Sequence, residues 1–142
     1  MISRIEQAIQ KNLCSSSTIG KFPESLRSAI EYSVFPGGAR IRPTILISVA
    51  KACGDDMPEI TDAAGSALEM IHCASLVHDD LPCFDDGDTR RGKPTVHKAY
   101  GENTAVLAGD SLIINAFNCL ASVSKYSHTR SANLTLCLSK YA

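Results

Sequence analysis

Residues 79–98 read DDLPCFDDGDTRRGKPTVHK. This window holds Asp79, Asp80, Asp85, Asp86 and Asp88, a third of the chain's 15 acids, together with Arg90, Arg91, Lys93 and Lys98. Carboxylates at that density repel one another unless something positive sits among them. Two readings compete. In the first, the window is a solvated loop whose acids and bases neutralise each other. In the second, it is a site for a magnesium-bound diphosphate. Mg²⁺ is a hard cation, typically held by one or two carboxylates plus substrate phosphates, and the planar arginine fork grips the phosphate charge that remains.

Neighbouring residues favour a site. Asp79-Asp80 ends an apolar run rather than a polar one, and His72 lies seven positions earlier. At ~3.6 residues per turn, a helix puts His72 and Asp79 on nearly the same face. Upstream, Gly37-Gly38-Ala39-Arg40-Ile41-Arg42-Pro43 is a glycine turn that enters a helix with two arginines at its start. Helix N-terminal amides favour anions, although a capped turn with incidental arginines describes the segment equally well. Other chemistries fit poorly. No placement of Asp80 to Asp88 meets the ligand spacing of an EF-hand. A zinc site drawn from His72, Cys73, His78, Cys83 and His97 lacks a close cysteine pair. There is no Walker motif and no nucleophile elbow.

Helices must carry these groups. Ile2, Ile5, Ile9 and Leu13 recur at helical spacing, followed by a loose Ser15-Ser16-Ser17-Thr18 stretch. Pro23 opens a second helix through Leu26, Ala29, Ile30, Val34 and Phe35, and Pro36-Gly37-Gly38 stops it. Pro43 opens a third, with Ile45, Leu46, Val49, Ala50 and Cys53 inside and Gly54 past its end. The fourth is expected to start at an N-cap near Thr61-Asp62 and to reach His78-Asp79-Asp80, where Leu81-Pro82 interrupts it. Asp85 to Thr95 is expected to be loop. A long helix follows from about Thr104 to Val123, and Ser131 to Ala142 starts another. No strand-like alternation of useful length appears. The class is all-α.

Composition narrows the field. The chain has 142 residues, 44% hydrophobic and 20% charged, with a formal charge of −1, so it can bury a core and has no general pull toward nucleic acid or anionic membrane. Aromatics are 6% and tryptophan is absent, which argues against a base-stacking surface. No membrane span is expected, because the best stretch, Ala105 to Val123, is broken by Asp110, Asn115 and Asn118. Met1-Ile-Ser-Arg-Ile-Glu-Gln has no apolar core of a secretory signal. Cys14, Cys53, Cys73, Cys83, Cys119 and Cys137 therefore read as buried, reduced thiols of a cytoplasmic protein.

Taken together, the motifs resemble those of the all-α trans-prenyltransferases, or isoprenyl diphosphate synthases (the polyprenyl synthetase family). Asp79-Asp80, four residues and Asp85 match the family's first aspartate-rich motif, and Arg90-Arg91-Gly92-Lys93-Pro94-Thr95 matches the stretch after that motif. His72 and Gly37-Gly38-x-Arg40-x-Arg42-Pro43 match upstream; Gly101-Glu102 and Ala108-Gly109-Asp110 match downstream. The likeness is strongest over residues 23–121 of a single domain spanning 1–142. The resemblance implies an isoprenoid-synthase-type helical bundle with Mg²⁺ as cofactor. Asp79 and Asp85 would ligate the metal with Asp80 in support. Arg90 would contact the allylic diphosphate, and Arg42, His72 and Arg91 would hold isopentenyl diphosphate. The implied reaction is ionisation of the allylic diphosphate, attack of the isopentenyl double bond on the cation, and proton loss.

In this family, the residues four and five before the first aspartate help set pocket depth. Here they are Ser75 and Ala74, both small, which favours geranylgeranyl diphosphate over farnesyl diphosphate. Residues 39–42 are also similar to bacterial geranylgeranyl synthases. Terpene cyclases share the fold and an aspartate motif but do not need the isopentenyl-binding arginines. Two departures stand out. Ala39 occupies a position where lysine is common, leaving Arg40 to take over that contact. The second aspartate-rich motif is absent, so the chain reads as the first half of a bundle, a fragment, a truncated product or a non-catalytic partner subunit. Alone it is expected to be inactive or weakly active, and the full-length form is expected to be a homodimer.

Overall fold

The computed structural model describes residues 1–14 and 22–142. The Ser15–Thr18 stretch and the Cys14 side chain lie outside the described residues. Seven α-helices are described: α1 (Ile2–Cys14), α2 (Glu24–Val34), α3 (Ile41–Ala52), α4 (Pro58–Asp79), α5 (Val96–Tyr100), α6 (Glu102–Ser122) and α7 (His128–Tyr141). A 3₁₀ turn, Val123–Lys125, precedes α7, and a short antiparallel ribbon, β1 (Thr89–Arg90) with β2 (Lys93–Pro94), precedes α5.

The most extensive packing is between α4 and α6. Small residues allow it: Ala64, Ala67 and Ala74 on α4 and Ala105, Ala108 and Ala116 on α6 are all buried in one core with Met70 and Leu112. Around this pair, α1 and α3 lie against α4, while α2, α5 and α7 lie against α6. On α1 the buried stripe is Ile5, Ile9 and Leu13, as their spacing predicts, whereas Ile2, which shares that spacing, is 62% exposed at the start of the helix. Helix α6 is long and apolar enough to cross a membrane by length and composition, and in this fold its buried face belongs to the core.

Four local expectations are corrected. Helix α4 begins at Pro58, whose missing N–H costs nothing in the first turn. The Thr61-Asp62 pair does not cap it: Asp62 accepts from Arg4 Nε at 2.6 Å, and the Thr61 hydroxyl donates to Asp55 at 2.6 Å. The segment expected as loop contains the ribbon, closed by Arg91 (φ 53) and Gly92 (φ 77). A two-residue hairpin turn with positive φ at both central positions matches the twist of its strands. Ile45, Val49 and Cys53 on or just past α3 are exposed, and the buried positions of that helix are Pro43 and Ile47. Among the described cysteines only Cys73 and Cys119 are buried, their thiols pushed up to about 11 and about 12 by burial; Cys53, Cys83 and Cys137 are exposed, and all five are free.

One buried cation joins four elements. Arg40 stands before α3 in the left-handed region (φ 49) and is 2% exposed. It donates to Glu69 of α4 at 2.8 Å, to Glu6 of α1 at 2.7 and 3.3 Å, and to the Val34 carbonyl at the end of α2 at 2.9 Å. Burial works against its charge, but the hydrogen bonds it donates to Glu6 and Glu69, and their negative charges, outweigh burial and raise its pKa. Arg40 therefore faces the core and does not take over the contact left open by Ala39. Removing one partner of a buried pair strands the other charge: Arg40→Met is expected to destabilise the fold by about 3–5 kcal/mol. The double variant Arg40→Met/Glu69→Met is expected to regain most of that loss. Urea unfolding measures both, and a single-variant loss under about 1 kcal/mol would contradict this account.

Candidate functional site

At the end of α4 the helix presents one open stripe. Leu68, His72, Ser75 and Asp79 succeed one another at helical spacing and are partly or fully exposed, while Cys73, Ala74 and Val77 turn inward. His72 and Asp79 thus share a face, as their spacing predicts. Ala74 and Ser75 do not: Ala74 is buried in the core and only Ser75 reaches the open side.

Beyond Asp79 the chain turns back on itself. The Asp85 amide donates to the Asp79 carbonyl at 2.8 Å, Phe84 N–H to Leu81 O at 2.9 Å, Asp86 N–H to Leu81 O at 3.1 Å, and Gly87 N–H to Asp80 O at 3.1 Å. Asp86 adopts a left-handed φ of 46° to complete the turn. Gly87 lies so close to Asp80 Oδ1 that a Cβ there would stand 2.8 Å from it. This backbone closure holds Asp79 and Asp85 at one rim. Both are exposed, and among the described residues neither carboxylate has a hydrogen-bond or ion-pair partner. No three histidine, cysteine or acidic side chains enclose a metal-sized space among the described residues. Two free carboxylates suit a hard cation that draws its other ligands from outside the chain.

Asp80 differs from its neighbours. It is buried, and both oxygens are taken by Arg90, with Nε to Oδ2 at 2.6 Å and Nη2 to Oδ1 at 2.8 Å. The Asp80 hydrogen bond raises the Arg90 pKa despite partial burial, and Asp79 and Asp85 add to the effect. Two of the five guanidinium N–H donors are used. Three remain beside the two free carboxylates.

A second cationic group faces the stripe. The Arg91 guanidinium lies over Gly38, near enough that a Cβ there would stand 3.1 Å from it. The turn before α3 is thereby joined to the ribbon. Burial lowers the pKa of His72, and the nearby positive charges of Arg42, Arg91 and Arg90 lower it further. The expected residues Arg42, His72, Arg90 and Arg91 therefore do converge. Tyr32, Lys93, Thr95 and His97 take structural parts that the sequence did not assign them. Lys93 Nζ donates to the Tyr32 and Phe35 carbonyls at 2.8 Å each and sits 3.7 Å from the Tyr32 ring centroid, while Tyr32 OH donates to Pro94 O at 2.8 Å. Together they strap the ribbon to α2. The Lys93-Pro94-Thr95 run beside a two-residue turn was the available signal.

A family model described as "Polyprenyl synthetase" matches residues 23–140. The chain is 61% identical over 131 residues to a geranylgeranyl diphosphate synthase of Rhodobacter capsulatus, covering 92% of this chain and 45% of that protein. It is 54% identical over 136 residues to the geranylgeranyl diphosphate synthase of Cereibacter sphaeroides, covering 94% and 47%. The fold is similar to a crystal structure of an FPP/GFPP synthase from Zymomonas mobilis, with a TM-score of 0.73 and 37% identity over 90% of this chain and 48% of that one. The chain spans about half the length of the curated relatives it matches.

His72 supplies the test of the cationic cluster. Its pKa is expected to lie below the ordinary 6.5 and to move back up in Arg42→Gln, as read by an NMR titration of the ring. Because the folded value is depressed, the unfolded chain takes up the proton first. Stability tied to this group is complete above pH 6.5 and lost as pH falls through the folded value. An unmoved His72 titration in Arg42→Gln would separate the two residues.

Proposed function

The chain belongs to the polyprenyl synthetase family, and we propose that it supplies the first-aspartate-motif half of a trans-prenyltransferase that condenses isopentenyl diphosphate with an allylic diphosphate. The observation that carries this reading is the juxtaposition of two unpartnered carboxylates, Asp79 and Asp85, with the Arg42, His72 and Arg91 cluster along one face of α4. The identity to geranylgeranyl diphosphate synthases supports it.

Asp79 and Asp85 would hold Mg²⁺, which would supply positive charge to the diphosphate leaving group. Arg90, locked on Asp80, offers its three remaining N–H donors to the allylic diphosphate where negative charge develops. Arg42, His72 and Arg91 hold and orient isopentenyl diphosphate, the charged forks gripping phosphate oxygens bidentately. Breaking the allylic C–O bond leaves a cation. The isopentenyl double bond attacks it to form the new C–C bond, and the resulting cation then loses a proton to the released pyrophosphate. Asp80 serves this reaction by fixing Arg90.

The product reading is geranylgeranyl diphosphate. Ser75 is the small residue on the open face, and the two curated relatives are named for that product. Farnesyl diphosphate is the second reading, favoured by the naming of the Zymomonas mobilis enzyme. The 142-residue chain alone is proposed to be weakly active or inactive, because its aspartate pair faces open solvent. An exposed stripe on α6 with Leu107 and Ile114 suits homodimer formation, and the exposed Ile41, Ile45 and Val49 on α3 suit a partner-subunit role. Free thiols fit a cytoplasmic setting.

Calorimetric titration of the purified chain tests the reading. Farnesyl diphosphate is expected to bind only with Mg²⁺, and the pair Asp79→Ala/Asp85→Ala to weaken it by roughly tenfold or more, the scale of a lost charge-assisted contact. Arg42→Ala is expected to weaken isopentenyl diphosphate alone. Magnesium-independent binding, or an Asp79→Ala/Asp85→Ala variant that binds as the parent does, would overturn the assignment. An intact mass from the source cells, compared with that of this chain, tells whether the other half is joined to it.

A further inference from the structure

Outside the groups already assigned, one buried side chain stands apart. His97, on α5, is 6% exposed, and its Nε2 makes no hydrogen bond. The nearest acid, Asp86 Oδ1, is 3.9 Å away. The other ring nitrogen, Nδ1, lies 3.1 Å from Thr95 Oγ1.

Proton accounting fixes the ring. The Thr95 hydroxyl has a single proton and lies 2.7 Å from the Gly87 carbonyl, which can only accept. Toward the imidazole, Thr95 Oγ1 must then accept, so the ring proton sits on Nδ1. A leucine would fill the same space without stranding a buried nitrogen. What histidine adds is the Nδ1–H.

From Thr95 the connection runs into the aspartate turn. The Gly87 carbonyl is held by Thr95, its N–H is bound to Asp80 O, and its Cα lies against the Asp80 carboxylate. Asp80 holds Arg90, and the same turn seats the Asp85 amide on Asp79. We propose that His97 is a positioning residue for the aspartate turn: its Nδ1–H aims the Thr95 hydroxyl at Gly87, and Gly87 thereby fixes the Asp80–Arg90 fork and the spacing of Asp79 from Asp85. The purpose assigned to the turn rests on the prenyltransferase reading; the hydrogen-bonded line does not.

Amide side chains separate the two ring nitrogens. Asparagine places an N–H near the position of Nδ1, and glutamine places one near that of Nε2. In the purified chain, long-range ¹H–¹⁵N spectra are expected to show the neutral His97 ring protonated on Nδ1. Amide exchange at Asp85 and Gly87 is expected to stay within about twofold of the parent in His97→Asn. It is expected to rise about tenfold in His97→Gln and in Thr95→Val, with the amides of Leu112 and Ala116 unchanged, as for loss of one buried hydrogen bond in a local opening. Binding of Mn²⁺ with inorganic pyrophosphate, followed by water proton relaxation, should weaken about tenfold in His97→Gln and hold in His97→Asn. A ring protonated on Nε2, equal exchange in the asparagine and glutamine variants, or unchanged exchange in Thr95→Val overturns the proposal. If the exchange pattern appears but the parent chain fails to bind Mn²⁺ and pyrophosphate, the positioning of the turn is upheld and the functional reading falls.

Discussion

A guanidinium inside the core sets the terms for the rest of the molecule. Arg40 is a full positive charge with almost no access to water, so every donor it carries must find an acceptor in the protein. The acceptors come from α1, α4 and the last turn of α2. Those helices cannot shift relative to one another without stranding a charge. The arrangement also fixes the turn before α3, because Arg40 is the residue that enters that helix. Arg42, two positions on, is exposed beside the stripe that carries His72. The inward arginine thus anchors the segment from which the outward one works.

The same division recurs at the other end of the site. Asp80 is buried and spent on Arg90, whereas Asp79 and Asp85 are exposed and unpartnered. Adjacent charged residues take opposite roles because helix and turn geometry send them to opposite sides. In both the Arg40/Arg42 and the Asp79/Asp80 pairs, one member builds the scaffold and the other is left available. Lys93 belongs with the scaffold. Burial, and then the charge of Arg91, lower its pKa, and its ammonium is committed to two carbonyls and the Tyr32 ring.

Helices with a strong apolar period were legible in the sequence. Ile5, Ile9 and Leu13 mark the buried side of α1, and the seven-residue spacing of His72 and Asp79 places both on the open stripe of α4. Features decided by tertiary partners were not legible. Thr61-Asp62 has the composition of an N-cap, yet Arg4 and Asp55 claim those side chains. Helix α5 and the ribbon are too short to show a period. Nothing local distinguishes Arg40 from Arg42, or Asp80 from Asp79, until Glu69 and Arg90 are brought in from a distance. The motifs identified the participants; their burial assigned the parts.

The aspartate turn is closed by backbone hydrogen bonds, the Asp85 amide on Asp79 and the Phe84 and Asp86 amides on Leu81, and is braced from outside by the Thr95 hydroxyl at Gly87. Of the four residues between Asp80 and Asp85, Leu81 is buried, while Pro82, Cys83 and Phe84 project outward. Among the described residues, none of those three outward side chains makes a hydrogen bond or ion pair across the turn. The segment between the two acids is consequently an outward-facing surface carried on a turn that other residues hold in place.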